Sequence, residues 1–285
     1  MKYAFIKAHQ DCFAVEVCCQ LFGVNRSGYY AWLDRPLSKR ALANQALDAK
    51  IHYLFNQHRE RASSPRMTQD LRAANEYCSE TRVARRMQVL GLRALAKRKF
   101  KVTTDSSHTH PVYENVLDRQ FDTTGVNQKW AGDIITYIRT AEGWLYLAVV
   151  LDLHSRAVIG WSMSKRIKAA LVCDALLMAL RNKGFPQGVI IHCDRGTQYC
   201  SKQYHIMIEQ YQLIGSMRRK GTCWDNAISE SFFHTLKVEL IHQHYYKSRA
   251  AAQQSVFQYI EGYYNRKRRH SSIGYRYPIQ VEMAA

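Results

Sequence analysis

The sequence predicts an α/β protein: a mixed five-stranded sheet with flanking helices over residues 123–285, preceded by an all-helical region over 1–100 and a linker over 101–122. Three observations predict it. Apolar runs at 133–138, 144–152 and 157–161 follow one another with only short polar turns between them, which is the pattern of hairpin-linked strands. Two further apolar runs, 188–193 and 213–217, alternate with segments of helical period, as crossover connections require. Between residues 11 and 90 the segments carry helical spacing and none reads as a strand.

In the N-terminal region, Phe13, Val17 and Leu21 form one apolar stripe that Gly23 interrupts, and Asn25-Arg26-Ser27 is a cap for a second helix carrying Tyr29, Tyr30, Trp32 and Leu33. Two short helices around a turn predict a helix-turn-helix, although any helical hairpin shares that pattern. Pro36 is a break. Asn44–His58 is the next helix, with Leu47, Ile51, Leu54 and His58 on one face. Ser63-Ser64-Pro65 reads as a loop, and helices follow over Thr68–Asn75 and Ser79–Leu90, the latter ended by Gly91. Arg82, Arg85 and Arg86 lie beside Val83, Met87 and Leu90, so this helix is buried on one side and basic on the other. Lys97-Arg98-Lys99-Phe100-Lys101 leads into a polar, aperiodic stretch that is the linker.

Beyond it the strands at 133–138, 144–152 and 157–161 are followed by a helix over Ile167–Asn182, a strand over 188–193, a helix over Ser201–Tyr211, a strand over Leu213–Met217 and a helix over Ala227–Glu239. The order β-β-β-α-β-α-β-α is that of the ribonuclease H-like fold. In that layout Asp133 lies on the first strand, Asp194 at the tip of the fourth, and Glu230 on the last helix, whose apolar face is Ile228, Phe232 and Leu236. Lys237 and Asn226 share the face of Glu230. Asp152 is read as a strand-end acid near Arg156, and Asp122, Asp225 and Glu239 as peripheral.

The chain has 41 Lys and Arg against 23 Asp and Glu, a net charge of +18. Such an excess favours a polyanionic partner, with nucleic acid first. No 18-residue apolar span or basic amphipathic anchor points to a membrane, and the first nine residues are too short and polar for a signal peptide. The eight cysteines contain no C-x-x-C pair, which argues against a structural zinc site and for reduced, mostly buried thiols in a cytoplasmic protein.

Three carboxylates brought to one point repel one another and raise one another's pKa. Hard oxygen ligands of this kind suit Mg2+ or Mn2+, and a pair of such ions clamps the attacking and leaving oxygens of a phosphodiester. Taken singly, each acid is as well explained as a loop cap or a solvated helix residue; the combination carries the hypothesis.

Asp133, Asp194 and Glu230 are separated by 60 and 35 residues, and Lys237 lies seven beyond the Glu. This resembles the D-D-35-E signature of transposases and retroviral integrases. The runs Trp130–Ile138, Trp144–Asp152, His192–Tyr199, Asp225–Phe233 and Tyr263–Ser272 resemble, more narrowly, the second-reading-frame (OrfB) polypeptide of the insertion-sequence-three transposase family. Gly28-Tyr29-Tyr30 and Val83–Met87 fit as well. Ser64-Pro65 stands where Tyr-Gly is usual, and Cys193 where Ser is common. The resemblance implies a transposase that cleaves DNA at the ends of a mobile element and joins it to a target. Asp133, Asp194 and Glu230 would hold two Mg2+ or Mn2+ ions. Lys237, Asn226, the basic loop Arg218-Arg219-Lys220, Arg85, Arg86, Arg266 and Arg269 would contact DNA. It further implies a homo-oligomer on paired element ends, an upstream first-frame product, separate or fused, and a bacterial, nucleoid-associated location. Two rival functions fit parts of the chain: a DNA-binding regulator using only residues 1–100, for which Asp194→Ala changes nothing, and a nuclease that cuts without joining.

Overall fold

The computed structural model describes residues 1–95, 112–219 and 227–284, with the side chains of Ile135 and Thr136 left aside. The chain divides into two compact units, residues 1–60 with 70–93, and residues 61–69 with 94–285.

The first unit is helical. Helices α1 (Lys2–His9), α2 (Val15–Phe22) and α3 (Arg26–Leu33) bury Ile6, Cys18, Cys19 and Tyr29 against one another. Gly23 ends α2 in the left-handed region at φ 59°, where its missing Cβ avoids strain. Helix α4 (Lys39–Gln57) buries Leu47, Ile51 and Phe55, and α6 (Glu80–Val89) buries Val83 and Met87. The hydroxyl of Ser79 caps α6 by accepting from the Arg82 N–H. Arg86 of α6 donates through Nε and Nη2 to Asp48 of α4 at 2.7 and 2.5 Å, and Arg82 donates to Asn44 at 2.9 Å. Helix α5 (Ser64–Ala73) starts earlier than the predicted Thr68. Pro65 falls in its first turn, where the absent N–H has no bond to lose, so the Ser-Ser-Pro run opens a helix instead of forming a loop.

The second unit is built on one sheet in the order β3-β2-β1-β4-β5. The strands are β1 (Lys129–Thr140), β2 (Gly143–Asp152), β3 (Val158–Ser164), β4 (Ile190–Cys193) and β5 (Ile214–Met217). The first three pair antiparallel, while β4 pairs parallel to both β1 and β5. Helix α7 (Ala169–Asn182) connects β3 to β4, and α8 (Lys202–Gln210) connects β4 to β5. Five strands and the intervening helices therefore follow the predicted order, and the fold is ribonuclease H-like with a helical region before it. Strand β1 is longer than the predicted 133–138, and its register with β2 shifts between Ile135 and Ile138.

Two apolar cores lie on the two faces of the sheet. Val150, Ile159, Ile191 and Met217 pack with Leu171, Leu176 and Leu180 of α7 and with Tyr204 and Ile208 of α8. On the other face Leu147, Val149 and Leu151 pack with Phe232 and Leu236 of α9 (Ala227–Glu239) and with Val256 of α10 (Arg249–Phe257). Each fully buried Leu or Phe of this kind stabilises by about 1.5–3 kcal/mol. Gly160 is the tightest seam. A Cβ built there would lie 2.3 Å from the Ala175 carbonyl oxygen and 2.5 Å from the Ala179 nitrogen, so the glycine lets α7 seat on β3. Helix α10 continues into a wide turn with i→i+5 bonding over Gln258–Tyr264, which buries Tyr259, Tyr263 and Tyr264. Helix α11 (Pro278–Met283) closes the described chain.

Candidate active site

The parallel pairing of β1 with β4 ends where Ala131 faces His192. Two residues further on, each segment carries an aspartate, Asp133 on β1 and Asp194 just past β4. A step of two along a strand returns to the same face. Strands pair about 4.8 Å apart, so the chain leaves the last pair with both aspartates two residues away from it. The electrostatics agree. The Asp133 carboxyl is pushed up to about 8, by burial first and by the Asp194 charge second; the Ile134 N–H and Arg218 oppose the rise, and Glu230 adds to it.

Each aspartate is held locally. Asp133 Oδ1 accepts from the Ile134 N–H at 2.8 Å, and Asp194 Oδ1 accepts from the Gly196 N–H at 2.8 Å. A Cβ at Gly196 would lie 2.9 Å from that same Asp194 oxygen, so a glycine two residues after the acid gives it room. Behind β1, the Tyr199 ring lies 3.5 Å from where a Gly132 Cβ would stand.

Glu230 sits in the first turn of α9, a helix that packs on β1. Ile228, two residues earlier, lies against the small cluster of Leu117, Ala131 and Leu153 on the Asp133 side of the sheet. The Glu230 side chain is exposed at the near end of this helix. Burial still raises its carboxyl somewhat, against the pull of Arg218. Arg218, whose backbone N–H bonds to the Cys193 carbonyl, is thus within electrostatic reach of both Asp133 and Glu230. Lys237, two turns along α9, is lowered by burial and raised in turn by Asp133, which places its charge on the same site.

The last β1–β4 pair lies two residues before Asp133 and Asp194, and both Asp194 and Glu230 act on Asp133 through their charges. Among the described residues no three His, Cys, Asp or Glu side chains stand close enough in this arrangement to hold an ion. The donor set nonetheless fits a hard divalent cation: it is all carboxylate oxygen, and Asp133 is half-buried within reach of a like charge that a cation would offset.

The remaining predicted contacts differ in what their side chains already do. Arg219 is exposed and pairs with Asp118. Lys220 and Asn226 lie outside the described residues. Arg85 is exposed and lines a cleft with Arg40, Asn44, Ser79 and Thr81, whereas the Arg86 guanidinium is taken up by Asp48. Arg266 is exposed; Arg269 donates to the Tyr275 carbonyl at 3.0 Å and stacks 4.7 Å above Tyr277. Asp152 is fully buried and accepts backbone N–H groups of Asn127, His154 and Ser155, a structural acid as its sequence context suggests.

Glu239, read as peripheral, is buried at the end of α9 and bound by Arg268 and Arg66. A signal was present: Phe232, Leu236 and Glu239 fall at i, i+4 and i+7, so the acid occupies the next position of the buried stripe.

Comparison with known proteins agrees with this architecture. Models of the integrase core domain match residues 123–223 and 213–278, and an HTH-like domain matches residues 41–100. The helix-turn-helix match therefore covers α4–α6, where the sequence alone suggested 11–33. Transposase InsF for insertion sequence IS3A of Escherichia coli is 49% identical over 284 residues, covering 99% of this chain and 98% of that protein. A 31 kDa protein of insertion element IS600 from Shigella sonnei is 41% identical, covering 90% and 94%. Among solved structures, the HTLV-2 integrase catalytic core domain in complex with magnesium is similar at 18% identity and a TM-score of 0.43, covering 56% of this chain and 99% of that one. Identity of 49% to InsF over nearly the full length of both chains, together with the integrase core and HTH-like matches, places the chain in the IS3 family of transposases.

Proposed function

We propose that this transposase cuts DNA strands at the ends of its insertion element and joins them to a target by metal-dependent hydrolysis and transesterification at Asp133, Asp194 and Glu230. The observation that supports the reading is the pairing of β1 with β4 up to Ala131 and His192, two residues before the aspartates, together with an Asp133 carboxyl pushed up by burial and by the charge of Asp194. Two Mg2+ or Mn2+ ions held by Asp133, Asp194 and Glu230 would supply positive charge to offset that developing on the oxygens of the reacting phosphodiester. The chain's own residues do the rest. Arg218 and Lys237, both within electrostatic reach of Asp133, hold DNA phosphates beside the acids. Water attacks phosphorus in the cutting step, and the released 3′-OH attacks a target phosphodiester in the joining step. Each displaces an oxygen in line, and no bond to the enzyme forms.

Arg85 and Arg40, exposed on the cleft of the HTH-like domain, contribute phosphate contacts there. Arg266 at the C-terminus and the Arg218-Arg219-Lys220 segment with Asn226 extend the DNA contact around the site. Paired element ends are held by more than one copy of the chain, and an upstream first-frame product, separate or fused, is a partner in the cell, at the nucleoid. Among the described residues no helix is long and apolar enough to cross a membrane.

The test uses purified protein, duplexes carrying candidate element ends, and Mg2+ or Mn2+, with nicking and joining scored separately. Asp133→Asn, Asp194→Asn and Glu230→Gln each abolish both steps on this reading. A variant that still nicks and joins refutes it, and wild-type protein that nicks without joining pre-exposed 3′-OH ends is a nuclease only.

A further inference from the structure

The run Tyr263–Arg269 is rich in basic residues, yet its Arg268 faces inward. We propose that Arg268 is a positioning residue for strand joining: through Glu239 it fixes the far end of α9 and thereby the placement of Glu230 at the near end. The inference rests on the reading of Glu230 as a metal ligand.

Arg268 and Glu239 are 5% and 6% exposed, so this is a buried pair and not a surface one. Arg268 Nε lies 3.0 and 3.1 Å from the two Glu239 carboxylate oxygens, and its Nη2 lies 3.0 Å from Oε1. The same carboxylate accepts from Arg66 Nη1 at 3.2 Å and from the Tyr259 hydroxyl at 2.8 Å. Arg61 Nε donates to the Glu239 backbone carbonyl at 3.0 Å, one of the carbonyls left open at a helix end. Arg268 Nη2 also reaches Thr235 Oγ1, one turn back on α9, at 3.4 Å. Burial works against the Arg268 charge, but Glu239 and three neighbouring tyrosines outweigh it and hold the guanidinium protonated.

The cage around this pair comes from the wide helical turn. Arg61 lies over the rings of Tyr259 and Tyr263 at 5.2 and 4.9 Å, and Arg268 lies 5.5 Å from the Tyr264 ring. Asn265, next in the chain, bonds through its side-chain amide to both the N–H and the carbonyl of Val158 on β3, at 3.0 and 2.9 Å. The segment that grips Glu239 is therefore anchored to the sheet that carries Asp133.

Apolar burial of Phe232 and Leu236 presses α9 onto the sheet, but the hydrophobic effect itself is non-directional. A forked, charge-assisted contact with fixed directions resists both sliding and rotation. A buried ion pair is seldom needed for stability, since an apolar pair of similar volume often serves as well, so its directional constraint is what it adds here. Glu230 precedes Glu239 by nine residues, roughly 14 Å along the helix at 1.5 Å per residue. A rigid helix carries a small turn at one end to the other, and a displacement of about 1 Å at a reacting site costs on the order of a hundredfold in rate.

The experiment uses the full chain in three forms: Arg268→Lys, the pair Glu239→Gln with Arg268→Met, and Glu230→Gln. The pair removes both charges together and leaves an acceptor for Tyr259 and Arg66. For each protein we would measure the thermal midpoint, Mn2+ binding by electron paramagnetic resonance, and kcat and KM for joining ends with an exposed 3′-OH. Positioning predicts a folded pair variant with KM for DNA near wild type, kcat lowered about 10–100-fold and weaker Mn2+ binding. Arg268→Lys, which keeps the charge and loses the fork, falls between it and wild type. If the pair variant does not fold, Arg268→Lys decides alone. Wild-type kcat and Mn2+ binding in the folded variant, with both lost in Glu230→Gln, overturn the proposal. Retention of both by Glu230→Gln overturns the reading of Glu230 on which it stands.

Discussion

His270 should make the protein acid-sensitive in a defined window. Its imidazole is pushed down to about 4 from 6.5, by burial first and then by the charges of Arg268, Arg156 and Arg66. A base with a lowered folded pKa is neutral in the fold and takes up its proton more readily in the unfolded chain. Its contribution is fully present above 6.5 and is lost as the pH falls from 6.5 towards 4. A shift of about 2.5 pH units at about 1.4 kcal/mol each sets an upper bound of roughly 3 kcal/mol, and partial exposure reduces this to about 1.5–2.5 kcal/mol. His270→Gln keeps a polar group beside Ser272, whose hydroxyl lies 2.9 Å from Nδ1, and removes the titration. Urea unfolding of both proteins from pH 7.5 to 4.5 gives the answer as a difference, since other groups titrate alike in both. The variant should lose less stability than wild type by about that amount. Parallel loss in the two proteins would refute the argument that burial, helped by three arginines, holds this histidine neutral.

Three further outcomes follow from the same contacts. Gly160→Ala places a methyl 2.3 Å from the Ala175 carbonyl and should destabilise by about 1–3 kcal/mol in urea melts, with wild-type stability counting against the tight α7–β3 seam. Arg85→Ala should weaken DNA binding and lower the slope of log K against log salt by about 1, while Arg86→Ala, which leaves Asp48 unpaired, should lower the unfolding midpoint instead; equal salt slopes in the two variants would contradict this division. Lys237→Ala should reduce the rate of joining more than the stability of the fold, and Lys237→Arg should recover part of it; joining at the wild-type rate in Lys237→Ala would remove Lys237 from the site.

Much of the catalytic unit is readable from the sequence because its signals are local. The alternation of apolar runs and turns marks five strands, and Asp133 and Asp194 are visible as acids at strand positions. What local pattern does not carry is pairing. That Ala131 faces His192, two residues before each aspartate, depends on residues 61 apart in the chain. The same limit hid Glu239 and Arg268, whose significance lies in each other. Arg268 stands among arginines and lysines that reach solvent, and composition alone cannot sort the inward cation from its neighbours. At the start of α5 the error was of another kind: Ser-Ser-Pro is a loop signal and a helix-start signal at once, and only the residues packed after it decide. The first helix, Lys2–His9, carries little sequence signal because its apolar face is short, with Ile6 its one buried residue.

The central claim is that Asp133, Asp194 and Glu230 together hold the ions that serve DNA cutting and joining. Anomalous diffraction from crystals of the protein grown with Mn2+ and an element-end duplex tests it directly. Manganese peaks within bonding distance of oxygens from all three acids, beside the scissile phosphate, are the predicted result. Manganese bound elsewhere, in crystals whose protein still joins DNA, would contradict the account.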